Sequence, residues 1–212
     1  MTGAATVPQG AGLKEPRRAA RSGARRAEIL QRATECFDRL GYANTTLDDI
    51  ARAVGIKREG IYYYFRNRAQ ILLEIIEPQS LELVEGIAAI VGDTTLGPRD
   101  KFRAAIRNHL VRFDRYCLEM TVSLRDGRFD GEPEVRDTMV RIWKDYEAHW
   151  ARLIAEGQGK GEFRQIGDPK MLAFAVLGAC NWLARWYDPR KPVTIEELID
   201  SYSNLLSSGL FE

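Results

Sequence analysis

The sequence predicts an all-α fold, with a small three-helix head at the N-terminal end and a larger helical body behind it. Three observations lead there. Apolar residues recur at three- and four-residue spacing in one segment after another. The joints between segments are filled by breakers such as Gly97-Pro98, Gly131 to Pro133 and Asp168-Pro169. No stretch alternates apolar and polar residues as a half-buried strand does, and no internal repeat is visible. At 212 residues, with 45% hydrophobic and 29% charged side chains, the chain has enough length for a substantial core.

Residues 1–23 are rich in Gly, Ala, Pro and Arg without apolar periodicity and read as a flexible basic arm, in which Lys14, Arg17, Arg18 and Arg21 could reach a phosphate backbone or be merely solvated. From Arg25 to Leu40, the residues Ile29, Ala33, Phe37 and Leu40 fall at helical spacing, and Gly41 stands where a left-handed terminator belongs. Thr46 then precedes LDDIARAV, with its hydroxyl placed to cap the backbone N–H of Asp49, and Gly55 ends that second helix after two turns. A third helix is expected from Lys57 through Phe65. Further helices are expected from Arg68 to about Val91, Pro98 to about Arg115, a shorter piece to about Leu124, Pro133 to about Glu156, Pro169 to Tyr187, and Ile195 to Leu206. Thr194 with Glu197 three residues on forms a capping box for the last of these.

Two short helices joined by a glycine turn, packed on a supporting helix, have the layout of a DNA-reading helix-turn-helix. The stretch GIYYYFRNR, Gly60 to Arg68, decides how that layout is used. Its aromatics favour a strand by propensity, but no partner strand is in reach to satisfy one. On a helix, Ile61 and Phe65 share the face that must be buried, Arg58, Glu59, Gly60, Tyr63 and Tyr64 turn outward, and Tyr62 lies at the boundary. Large amphipathic rings facing water on one short helix suit a phosphate backbone, since a phenol donates to phosphate oxygens and its ring lies along a sugar or thymine methyl.

Charge divides along the chain in keeping with this. Through Arg68 there are 13 Lys or Arg against 7 Asp or Glu, a balance of +6, and the remainder carries −5. Cys36, Cys117 and Cys180 are far apart and odd in number, which suits buried thiols in a reducing cytoplasm and neither a metal nor a disulfide framework. The apolar run Met171 to Ala184 is too short to span a bilayer, so a cytoplasmic protein is expected. Enzyme chemistry has no support: the two histidines lie forty residues apart, GxSxG is missing, and GQGKG (157–161) follows a helix and lacks the spacing of a phosphate loop. No cofactor or metal is expected. A non-specific architectural DNA binder is a rival for the basic head, although it would not need so large an aromatic body.

Residues 45 to 65, TTLDDIARAVGIKREGIYYYF, closely resemble the DNA-binding head of TetR-family transcriptional regulators, with the LYYHF-like ending as the most specific part. That resemblance implies DNA contacts from Thr46, Lys57, Arg58, Gly60, Tyr62, Tyr63, Tyr64 and Arg68. Two positions depart from the pattern: Lys57 stands where a capping Ser is usual, and Glu59 where a small residue is frequent. The resemblance divides the chain into the arm, a DNA-binding domain over 24–70 and a ligand-binding and dimerisation domain over 71–212. It implies a homodimer on a double-stranded DNA operator, paired through the last two long helices and released by a small effector.

Within the body, Trp143, Tyr146 and Trp150 share one helix face, and the run Met171 to Ala184 is apolar on nearly every side, more than one packed face needs. Core packing accounts for most such aromatics; the sharper expectation is that Phe113, Met120, Trp143, Tyr146, Trp150 and Trp182 line a cavity for a lipophilic ligand. Residues 181 to 206, NWLARWYDPRKPVTIEELIDSYSNLL, are similar to the tail of actinobacterial TetR-family repressors of sterol and fatty-acid breakdown, which implies a hydrophobic or acyl-CoA-type effector. Those proteins pair a tryptophan, matched by Trp182, with an arginine one turn earlier, where this chain has Gly178.

Overall fold

The computed structural model describes residues 14–125, 129 and 131–211. They form helices α1 (Lys14–Leu40), α2 (Leu47–Val54), α3 (Arg58–Tyr62), α4 (Arg68–Gly92), α5 (Pro98–Arg115), α6 (Cys117–Arg125), α7 (Pro133–Gly159), α8 (Pro169–Asn181) and α9 (Ile195–Leu210), with a 3-10 turn over Trp182–Arg185. Extended pairing among these residues is limited to a single bridge between Phe163 and Phe211.

The head is α1 to α3 packed on the start of α4. Ile29, Ala33 and Phe37 of α1, Ile50 and Val54 of α2, and Ile61 and Phe65 beyond it are all buried. α2 is fixed at both ends. Thr46 and Asp49 complete a capping box, and Gly55 closes the helix at φ 73°, a left-handed conformation that costs a glycine nothing. α4 starts in the head, where the Asn67 side chain accepts from Gln70 N–H at 2.8 Å, and runs on into the body with Pro78 inside it. There it packs along α7, which in turn packs along α8.

Five helices differ in extent from the sequence reading, the last of them α9, which runs on to Leu210 rather than Leu206. α1 begins at Lys14, eleven residues before the expected Arg25, so residues 14–23 are helix rather than arm; residues 1–13 lie outside the described residues. Ala and Arg are strong helix formers and Pro16 sits in the first turn, where a missing N–H is harmless, so helix persists without an apolar stripe. α3 is shorter than expected: Tyr63 and Tyr64 form a turn closed by Tyr64 N–H and Phe65 N–H, both donating to the Ile61 carbonyl. α7 runs through Gly157 to Gly159, beyond the expected Glu156, and Gly161 just past its end adopts φ 69°. α8 ends at Asn181 and tightens into the 3-10 turn before Tyr187.

Three rings lock the far end of the body. Phe163 and Phe211 stack at 5.1 Å, Phe102 meets both edge-on, and Arg164 N–H donates to the Leu210 carbonyl at 2.8 Å. Gly157 is required here, because a Cβ at that position would overlap the Phe163 ring.

Candidate nucleic-acid interface and regulatory body

Burial separates the aromatic run of the head by role. Ile61 and Phe65 are 0% and 1% exposed, whereas Tyr62 and Tyr63 are 49% and 70% exposed. Tyr64 is partly buried, with its ring 4.9 Å from that of Tyr63 in an edge-to-face pair. Lys57 precedes α3 without a side-chain cap, as its long aliphatic stem dictates. Arg58 is exposed and strung between Asp48 at 3.2 Å and the Tyr62 hydroxyl at 3.1 Å, so the guanidinium is aligned along the outer face of α3. Gly60 sits close to Ile56, where an added Cβ would come within 3.3 Å of its Cδ1.

Two expected contact residues are engaged internally. The Thr46 hydroxyl accepts from Asp49 N–H at 3.2 Å and donates to Asp49 Oδ2 at 2.6 Å, and this donation, with that of Thr46 N–H at 3.0 Å, holds the Asp49 carboxyl below its ordinary range. Arg68 turns inward. It donates to the carbonyls of Tyr42 at 2.9 Å and Thr45 at 2.6 Å, lies over the Tyr42 ring, and pairs with Glu132 at 3.6 Å. Thr45, fully buried, reinforces the same corner by donating to the Gly41 carbonyl at 2.8 Å. Sequence reading missed Tyr42, whose hydroxyl donates to Glu132 Oε1 at 2.7 Å and so joins the head to the start of α7. A tyrosine directly after a helix-ending glycine carries no motif that would reveal it.

In the body, Phe113, Met120, Tyr146 and Trp150 are fully buried and Trp143 packs at their edge. The Tyr146 hydroxyl is 2.9 Å from His109 Nδ1, inside a wholly buried pair. Burial pushes the imidazole down to about 4; Asn181 opposes that shift from close by, although neither its Oδ1 nor His109 Nε2 completes a hydrogen bond among the described residues. Trp182 is not part of this group. It is 60% exposed, because it follows Gly178 by one helical turn and shares the outward side of α8 with Met171 and Phe174, while Ala173, Val176, Leu177 and Cys180 face the core. A cleft of about 720 Å³ opens instead between Asp38 of α1, Cys117 and Thr121 of α6, and the segment Ala184 to Arg190.

A capped two-turn helix, a glycine turn and an exposed tyrosine-rich segment on a buried Ile61–Phe65 anchor define a DNA-binding protein of the helix-turn-helix class, with a helical body attached. More particularly, the chain belongs to the TetR family of bacterial transcriptional regulators. The family model described as "Bacterial regulatory proteins, tetR family" matches residues 29–75, and that described as "Tetracyclin repressor-like, C-terminal domain" matches residues 95–210. Proteins of this family are regulators rather than enzymes. The chain is similar to the transcriptional repressor KstR2 of Mycolicibacterium smegmatis, at 24% identity over 88% of this chain and 90% of that protein. Its fold matches the solved structure of the TetR-family regulator PfmR from Thermus thermophilus at a TM-score of 0.76 and 26% identity, over 85% and 97% of the two chains. It also matches that of AibR in complex with isovaleryl coenzyme A and operator DNA, at 0.74 and 24%, over 85% and 97%. No described helix is long and apolar enough to cross a membrane.

Proposed function

We propose that the chain is a cytoplasmic, homodimeric, ligand-released repressor that reads a palindromic operator with two heads set about 34 Å apart, one turn of B-DNA. The observation that carries this reading is the exposure of Tyr62 and Tyr63 beside the buried Ile61 and Phe65. The reading assigns DNA contact to Lys57, Arg58, Gly60, Tyr62, Tyr63 and Tyr64, with Thr46 and Arg68 positioning the segment that carries them.

Pairing is assigned to α8, the 3-10 turn after it and α9, whose outward sides carry Met171 at 64%, Trp182 at 60% and Leu205 at 72% exposure, an apolar surface that suits a second copy. The effector is assigned to the body, where neutral His109 and the ring of Tyr146 suit a lipophilic molecule with a polar end. An acyl-CoA-type compound is supported by the bound thioester of AibR. A difference of about 1–3 kcal/mol in effector affinity between DNA-competent and released states is enough for induction.

Selection of duplexes from a random-sequence library by the full chain tests the reading, and a two-fold symmetric sequence is expected. The double variant Tyr63→Ala, Tyr64→Ala should then lose that duplex in a gel shift; unchanged binding would overturn the assignment. Native mass spectrometry of copurifying compounds, followed by displacement of the bound duplex, identifies the effector.

A further inference from the structure

The extension of α1 does more than lengthen the head. The turns where it joins the rest of α1 run beside the reading segment, and Arg21, Ser22, Arg25 and Glu28 form one wall of a cleft of about 490 Å³ whose other wall is Tyr63 and Tyr64. The α1 wall lies outside the matched family region, which begins at residue 29, while both tyrosines lie inside it. Arg21 and Arg25 are exposed. Arg25 is held 2.8 Å from the Glu28 carboxylate, itself a partner that a stronger anion can replace. Arg26, one residue on, is committed elsewhere: it pairs with Glu74 and lies over the Phe65 ring.

The geometry points to a phosphate-binding cleft, in which Arg21, Ser22 and Arg25 close on one DNA phosphodiester against the phenol edge of Tyr63 and Tyr64. The inference rests on the DNA-reading function proposed above. Two features commit the cleft to this occupant. Beside the Glu28 carboxylate that pairs with Arg25, its polar groups are two guanidiniums, a hydroxyl and two phenols, all donors suited to a phosphate oxygen. It is also continuous with the exposed face of the reading segment, so a backbone running past Tyr63 enters it. The gripped phosphate neighbours the read bases and carries no sequence information, so the cleft adds affinity equally to every sequence. Glu28 opposes this. Before DNA arrives it neutralises Arg25, and on binding it must surrender that arginine.

Salt titration of the library-selected duplex, followed by fluorescence anisotropy with the full chain, tests the cleft. Neutralising one phosphate per head contributes about 0.9 to the slope of log K against log salt, so the variant Arg21→Ala, Arg25→Ala should lower the slope by about 2 for a dimer, with an unchanged melting temperature. Glu28→Gln should tighten binding severalfold. Replacing the flanking phosphodiesters one at a time by neutral methylphosphonates should weaken the wild type at one position per half-site and leave the double variant indifferent there. A double variant with the wild-type slope and the same methylphosphonate sensitivity overturns the cleft while the DNA-reading function stands. Failure of the wild type to enrich any duplex overturns both.

Discussion

The guanidinium of Arg68 lies 4.1 Å above the ring of Tyr42 and donates to two carbonyls of the loop between α1 and α2. That relationship ties the first residue of α4 to the corner on which α2 rests. A charged donor serving buried carbonyls contributes about 1.5–3 kcal/mol. Arg68→Ala should therefore lower the melting temperature by several degrees and weaken DNA binding without altering its salt slope. Arg68→Lys keeps the charge but loses the planar fork and should recover only part of the stability. A reduced slope at an unchanged melting temperature would instead make Arg68 a phosphate contact.

The buried His109 should make stability depend on pH above the carboxylate range. Its imidazole, lowered by burial to about 4, stays neutral in the fold, whereas in the unfolded chain it protonates near 6.5. The unfolded chain thus takes up a proton between those values that the native state refuses. Stability is full above about 6.5 and falls as the pH drops toward 4, by roughly 1.4 kcal/mol per unit. Urea unfolding at pH 7 and pH 5 measures this, and His109→Gln should remove most of the difference.

Two glycines should respond in opposite ways to alanine. A Cβ at Gly157 would overlap the Phe163 ring, so Gly157→Ala should destabilise the body by about 1–3 kcal/mol as the Phe163–Phe211 stack is pushed apart. Gly23 is exposed within α1 with open space around it, so Gly23→Ala should stabilise by about 0.5–1 kcal/mol. Thermal melts of the two variants decide both.

Charge on the outward side of α8 and α9 should prevent pairing. Met171→Glu with Leu205→Arg replaces two exposed apolar side chains, so folding should be intact while sedimentation gives the 24.0 kDa single chain. Dimers at micromolar concentration in that variant would place the interface elsewhere.

The fold was legible wherever apolar spacing and a cap coincide, as in α2, where Thr46, Asp49 and Gly55 each do what their side chains or lack of one dictate. The burial of Ile61 and Phe65 was legible for the same reason, since a four-residue interval alone places them on one side; Tyr62 and Tyr64 exchange their expected roles, Tyr62 being exposed and Tyr64 packed against the core, because α3 ends at Tyr62 and the turn after it breaks the helical phase. Three further features were not legible. α1 continues through Lys14 to Gly23 on propensity, which leaves no periodic mark. Trp182 turned outward because it continues the side of α8 that carries Met171 and Phe174, opposite the buried Ala173, Val176 and Cys180, and that phase outweighed its hydrophobicity. Arg68 and Tyr42 meet across 26 positions of sequence, and a contact of that span has no local signature.

The bond from Tyr42 to Glu132, with Phe129 buried against the same ring at 6.3 Å, gives the head an attachment to α7 besides those through α4 and α6. Arg68 reaches the same Glu132, so the carboxylate at the start of α7 is shared by the corner that carries α2 and by the first residue of α4. A displacement of α7 that moves Glu132 therefore pulls on both at once, and the head receives it as one piece.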